Sequence, residues 1–182
     1  MKASVYIATS LDGFIARCDG GLDWLPGADG ESVPGGEDFG YQAFMDSVDH
    51  MVIGRKTFEL VLSFGAWPYE KPVTVLSKSL KTLPDGLPSS VELKNVSPGE
   101  LVQQLGQRGV QSLYVDGGQT IQGFLHAGLI HELILTRVPV LLGEGTPLFG
   151  PVGKDVLLEH IATKSFSNGF VQSVYQIAAV VL

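Results

Sequence analysis

The sequence predicts an α/β domain built on a mostly parallel central sheet, with helices on both faces and an antiparallel hairpin at the C-terminal end. Three observations carry this reading. Short β-branched runs alternate with amphipathic helical stretches along most of the chain, the pattern of parallel strands joined by crossover helices. Ser167-Asn168-Gly169 separates two final strand-like runs and reads as a hairpin turn. The 182 residues suit one domain with a sizeable core, and no linker or internal repeat divides them, so residues 1–182 are read as one unit.

Each element follows from local pattern. Val5, Tyr6 and Ile7 mark a buried strand over residues 3–9, ended by Asp12-Gly13. A Gly-, Asp- and Pro-rich stretch over residues 19–37 is long enough to predict a functional lid or disorder, and Trp24 lies within it. Residues 38–48 predict a helix with Phe39, Ala43, Phe44 and Val48 near one face and Asp38 in its first turn. Strand 50–54, helix 57–62 and strand 72–77 come next, with a weaker strand at 91–93. Pro98 opens a helix burying Leu101, Val102 and Leu105. Strand 112–115, a helix carrying Ile121, Phe124 and Leu125, and strand 132–138 lead to the final strands near 156–166 and 170–178.

Composition narrows the function classes. The net charge of −7, with no run of Lys or Arg, argues against nucleic acid or an anionic membrane as partner. An anionic ligand would have to be held by a local cluster or by helix N-termini. The 23 glycines, roughly twice the usual ~7% share, predict tight turns and close backbone approaches. Cys18 is the single cysteine, which excludes an intrachain disulfide and agrees with a reducing compartment. The opening residues lack the apolar h-region of a signal peptide, and no stretch approaches the ~18 apolar residues of a membrane span. A cytoplasmic protein is expected. His50, His126, His131 and His160 are scattered without metal-ligand spacing and are read as surface or core residues.

Three strand-to-helix junctions concentrate the chemistry: Val52-Ile53-Gly54-Arg55-Lys56-Thr57, Val75-Leu76-Ser77-Lys78-Ser79, and Tyr114-Val115-Asp116-Gly117-Gly118-Gln119-Thr120. In an open α/β sheet, ligands bind at the carboxyl ends of strands. Each junction offers small residues and free N–H groups at a helix start, and two add a cation. Neither G-x-G-x-x-G nor G-x-x-x-x-G-K-[ST] is present, so the common nucleotide fingerprints are absent. A Gly-Gly pair before a helix is by itself equally compatible with a tight turn.

These junctions resemble the dihydrofolate reductase family. Ile53-Gly54-Arg55-Lys56-Thr57-Phe58-Glu59 is similar to its strand ending at Gly-Arg before a helix with an early Thr, and Leu76-Ser77 to its second nucleotide-binding turn. Asp116-Gly117-Gly118 resembles its Gly-Gly turn. A closer resemblance is to the reductase domain of bifunctional riboflavin-biosynthesis proteins and its small stand-alone bacterial relatives. It is carried by Ser10-Leu11-Asp12-Gly13-Phe14-Ile15-Ala16 followed by Trp24, by the run from Tyr114 to Leu125, and by Leu129–Leu133 continuing to Pro139–Phe149. These segments sample residues 3–150 in the family's order.

The resemblance implies a dihydrofolate-reductase-like fold and NADPH along the carboxyl edge of the sheet. It places Ala8 by the nicotinamide, Gly54 and Thr57 at the pyrophosphate, and Gly117, Gly118, Gln119 and Thr120 at the opposite phosphate turn. Arg55, Ser77 and Lys78 become candidates for the 2′-phosphate, a role that suits two cations and a hydroxyl; ordinary solvated surface is the plain alternative for the two cations. Asp38 falls where dihydrofolate reductases hold their pterin, and a half-buried acid there would bind a heterocycle and tune proton delivery. It would otherwise serve only as an acid at a helix start. Asp116 stands where the riboflavin-pathway reductases carry a substrate-contacting Glu; it either faces substrate with a shorter reach or caps the helix. Trp24 stacks on the nicotinamide or closes the pocket; the plain alternative is a loop anchor packing on the core.

The expected activity is NADPH-dependent hydride transfer to a C=N or C=O carbon of a small heterocyclic or sugar-derived substrate, pterin- or aminopyrimidine-like, with Asp38 and Asp116 as catalytic candidates. The riboflavin-pathway substrate carries a phosphate, and residues 19–37 supply no cation for it; the nearest is Arg17. No zinc deaminase pattern is present. A non-catalytic NADP-binding sensor or scaffold, and a true dihydrofolate reductase, stand as rival readings. The resemblance also suggests a homodimer, through the apolar final strands and the tail from Ala178 to Leu182.

Overall fold

The computed structural model describes residues 1–26 and 36–178. In chain order the first elements are β1 (Lys2–Ser10), β2 (Phe14–Ala16), α1 (Tyr41–Asp46), β3 (His50–Gly54) and α2 (Arg55–Ser63). Next come β4 (Val73–Leu76), β5 (Val91–Lys94), α3 (Pro98–Gln107), β6 (Ser112–Asp116) and α4 (Gly118–His126). The last are β7 (Glu132–Val138), β8 (Thr146–Pro147), β9 (Leu158–Ser165) and β10 (Val171–Ile177).

Eight strands form one sheet in the order β5-β4-β3-β6-β1-β7-β10-β9. The six from β5 to β7 are parallel, and β10 pairs antiparallel with both β7 and β9. The predicted parallel sheet with a terminal hairpin is therefore what forms. Gly169, at φ 86°, supplies the left-handed residue that the hairpin turn requires.

Strand alternation sorts the core into two layers. Met51 and Ile53 point to one face, with Phe44, Met45, Phe58, Val73 and Val75. Val52 points to the other, with Leu101, Leu105, Ile121, Phe124 and Leu133. Helices α1 and α2 thus cover one face, and α3 and α4 the other. Each such side chain taken fully out of water stabilises the fold by ~1.5–3 kcal/mol. Helix α3 is fixed at its start by a capping box between Ser97 and Glu100, with Pro98 in the first turn.

The helix predicted over residues 38–48 is shorter and begins at Tyr41. Phe39 and Gly40 both sit in left-handed conformations, φ 55° and 83°, which no right-handed helix accommodates. Asp38 lies outside the first turn. A second departure is the two-stranded sheet of β2 and β8, too short to show a periodicity. It ties the segment after β7 back onto the β1–β2 turn: Leu142 and Gly143 N–H groups donate to the Asp12 carboxylate, and Leu148 N–H to the Gly13 carbonyl. Residues 27–35 of the lid read over 19–37, and the tail beyond Ala178, lie outside the described residues.

Candidate active site

Strands β3 and β6 are neighbours, with Ile53 in register with Asp116, so their carboxyl ends deliver two helix starts to one place. Helix α2 begins after Gly54 and α4 after Gly117, and neither start has a side-chain cap. Their first-turn N–H groups, unpaired within the helices, make two positive ends arriving from opposite faces of the sheet. The two starts are also locked to each other. A methyl group on Gly54 would lie 2.6 Å from Thr120 Oγ1, and one on Gly117 2.5 Å from Thr57 Oγ1. Each glycine therefore makes room for the threonine of the other helix. Gly117 adds a φ of 93° that side chains other than glycine rarely adopt.

This arrangement fits a dinucleotide. Two uncapped helix starts side by side suit a pyrophosphate, and the flanking backbone approaches closely because no Cβ intervenes. Gly54, Thr57, Gly117, Gly118, Gln119 and Thr120 are brought together; Gln119 is exposed, Gly118 buried and Thr120 half-buried. Ala8 is half-buried near the end of β1, packed in the small cluster of Trp24, Val138 and Phe170. Among the phosphate candidates, Arg55 is exposed and paired with Glu59 at 2.9 Å, a contact open to exchange at a surface. Lys78 is exposed. Ser77 is buried, and its Oγ accepts from the N–H groups of Ser79 and Leu80, so it shapes its turn.

The acids differ sharply. Asp38 is exposed, contrary to the half-buried setting expected for it. Its oxygens accept from the N–H groups of Gly40 and Gln42, which start α1 and hold its carboxyl below the usual range. Asp116 is half-buried at the end of β6 and does not cap α4 by its side chain. Burial pushes its carboxyl up to about 6, opposed only by the Gly117 N–H. Trp24 is 8% exposed and packs on Val138 and Phe170, so it anchors its loop and offers no free face for stacking.

Sequence reasoning missed the aromatic wall beside Asp116. Alternation along β6 puts Asp116 on the same face as Tyr114, whose cluster includes Tyr6, Tyr41, Phe44, Trp67 and Tyr69. Tyr41 packs edge-on to Tyr6, with ring centres 5.5 Å apart, and Tyr69 lies 5.3 Å from Trp67. The Asp116 charge reinforces the effect of burial in raising both Tyr41 and Tyr69. The legible signal was Trp67-Pro68-Tyr69: aromatics in a connection between a helix and a parallel strand.

An open, mostly parallel α/β sheet with an antiparallel C-terminal hairpin and paired helix starts at its carboxyl edge is an architecture shared with solved RibD structures. The chain belongs to the RibD C-terminal domain family, which matches residues 2–172. The chain is 40% identical to a candidate riboflavin biosynthesis protein from Shewanella sp. PV-4, covering 98% of this chain and 100% of that one with a TM-score of 0.91. It is 34% identical over 170 residues to the uncharacterized protein YwjB of Bacillus subtilis (strain 168), covering 92% of this chain and 93% of the relative. The deaminase/5-amino-6-(5-phosphoribosylamino)uracil reductase of Thermotoga maritima shares the fold at 15% identity and a TM-score of 0.71, matching 97% of this chain and 56% of that one.

Proposed function

We propose that the protein is an NADPH-dependent reductase acting on a small heterocyclic substrate, pterin- or aminopyrimidine-like. The observation that carries this is the juxtaposition, at adjacent strand ends, of two uncapped helix starts and a carboxyl held near neutral pH. The helix starts of α2 and α4 bind the pyrophosphate through their N–H groups, with Thr57 and Thr120 fixing their spacing and Gly118 and Gln119 extending the turn. Arg55 and Lys78 supply charge for the 2′-phosphate, and Ser77 shapes the turn that presents Lys78. Ala8 lines the floor for the nicotinamide, and Trp24 packs beside it. When bound, NADPH supplies the hydride.

Asp116 handles the proton. A carboxyl titrating near about 6 is populated in both forms around neutrality, the condition for a general acid. Asp38 keeps the role of starting α1. Membership of a reductase-domain family favours turnover over the sensor or scaffold reading. A homodimer in the cytoplasm is the assembly that accompanies this reading.

Fluorescence titration with NADPH and NADH tests it. NADPH is expected to bind at least ~tenfold more tightly, about 1.4 kcal/mol, and Arg55→Gln with Lys78→Gln is expected to remove most of that preference. Equal affinities would sink the 2′-phosphate assignment, and binding of neither would sink the reductase reading.

A further inference from the structure

Four tyrosines share the apolar layer beside Asp116, and their hydroxyls divide into two pairs. Tyr6 donates to the Phe39 carbonyl at 2.9 Å, and Tyr114 to the Tyr6 carbonyl at 2.9 Å, so both are committed within the protein. Tyr41 and Tyr69 are half-buried, and among the described residues their hydroxyls meet no hydrogen-bond partner. Both sit where the Asp116 charge reaches them. We propose that Tyr41 and Tyr69 are specificity-determining residues that, with Asp116, hold the amide-type edge of an uncharged, flat heterocycle.

The chemistry of the cluster selects that class of ligand. Each phenol offers one donor and accepting lone pairs, and the Asp116 carboxyl accepts from N–H groups when charged and adds one donor when protonated. Together they match an edge of alternating N–H and C=O groups, while the aromatic walls of Tyr41, Trp67 and Tyr69 favour a flat ring. Among the described residues, no cation acts on Asp116, Tyr41 or Tyr69. A phosphate or carboxylate placed there would meet a carboxyl without compensation.

The backbone supports the assignment. Phe39 is the non-glycine residue with positive φ among those described, and Gly40 follows it in the same conformation. The Phe39 carbonyl accepts from both Tyr6 Oη and Gln172 Nε2, and its ring stacks on Phe170. Strain of this kind persists where surrounding contacts over-determine it. Here it ends the preceding loop and starts α1 with Tyr41, which fixes that phenol against the sheet.

The inference rests on the reductase reading, and its test is separable from it. Fluorescent lumazine, an uncharged pteridine with a free N–H and C=O edge, is titrated with and without NADPH. It is compared with 1,3-dimethyllumazine, which keeps the rings and loses both N–H groups. Lumazine is expected to bind more tightly, and Tyr41→Phe and Tyr69→Phe are each expected to weaken it about fivefold to tenfold. The dimethyl probe is expected to respond to neither variant, and thermal melting to confirm that both variants fold. Equal binding of the two probes, indifference to both variants, or no lumazine binding overturns the proposal. Loss of NADPH binding by the wild type would sink the reductase reading instead, and leaves the contrast between the two probes intact.

Discussion

Asp116 shows how burial sets one carboxyl against stability. Its carboxyl titrates near about 6 in the fold, above the ordinary value of 3.8, because burial penalises the charged form. A raised acid contributes its full stability below the ordinary value and loses it as pH rises through about 6. At neutral pH the fold therefore bears the cost of a half-buried charge. Asp116→Asn is expected to raise stability at pH 7 by ~1–2 kcal/mol, allowing for solvent at the half-exposed end, measured by urea unfolding. The same change is expected to lower turnover by ~10²-fold or more and to abolish the decline in activity as pH rises through about 6. A variant that is both less stable and fully active would contradict this account. The resemblance pointed to Asp116, but its burial was invisible in the sequence, because burial at a strand end depends on elements that arrive from distant segments. Asp38 misled for the complementary reason: its place before a helix was legible, its exposure was not.

At the scale of elements, the alternation of β-branched runs located the strands well. His50–Gly54 was readable because a parallel strand buried on both faces is a short continuous apolar run. The start of α1 was not, because two left-handed residues override the apolar pattern that begins at Phe39. Nor was the role of the glycines. Gly54 and Gly117 were expected to leave space for phosphate, yet what first requires them is the facing threonine. This separates packing from ligand binding. Gly54 has an ordinary φ of −84°, so Gly54→Ala is penalised by contact with Thr120 alone. It is expected to cost ~1–3 kcal/mol, and Thr120→Ala in the same chain is expected to restore most of that in thermal unfolding. If the second substitution restores nothing, the two helix starts are not held together in this way. NADPH affinity in the double variant then reports how far the spacing of the starts matters to the ligand.

The molecule as a whole keeps a second polar assembly away from the carboxyl edge. His50 opens β3 and is 1% exposed. Its Nε2 lies 2.8 Å from Thr74 Oγ1, which in turn donates to Glu92 at 2.9 Å, and Arg108 donates to the same carboxylate at 2.6 Å. Because the Thr74 proton goes to Glu92, His50 must donate through Nε2. The chain of bonds crosses β3, β4 and β5 and reaches the end of α3, joining elements far apart in sequence. Burial depresses His50 from 6.5 to about 4, with the Arg108 charge adding to the effect. Below its ordinary value the unfolded chain takes up a proton that the folded one refuses. Stability from this source is therefore complete above pH 6.5 and falls between 6.5 and about 4, by ~2–3 kcal/mol in all. Glu92 acts in a separate window: its carboxyl is held below 4.5, so its contribution is lost only at lower pH. Urea unfolding across pH 4 to 7 is expected to show a steep rise of stability with pH for the wild type and a shallower one for His50→Gln, which retains a donor to Thr74. Identical slopes would mean that His50 charges freely in the fold. Activity at pH 7 should be the same in both proteins, since the network belongs to the sheet and not to the helix starts beside Asp116.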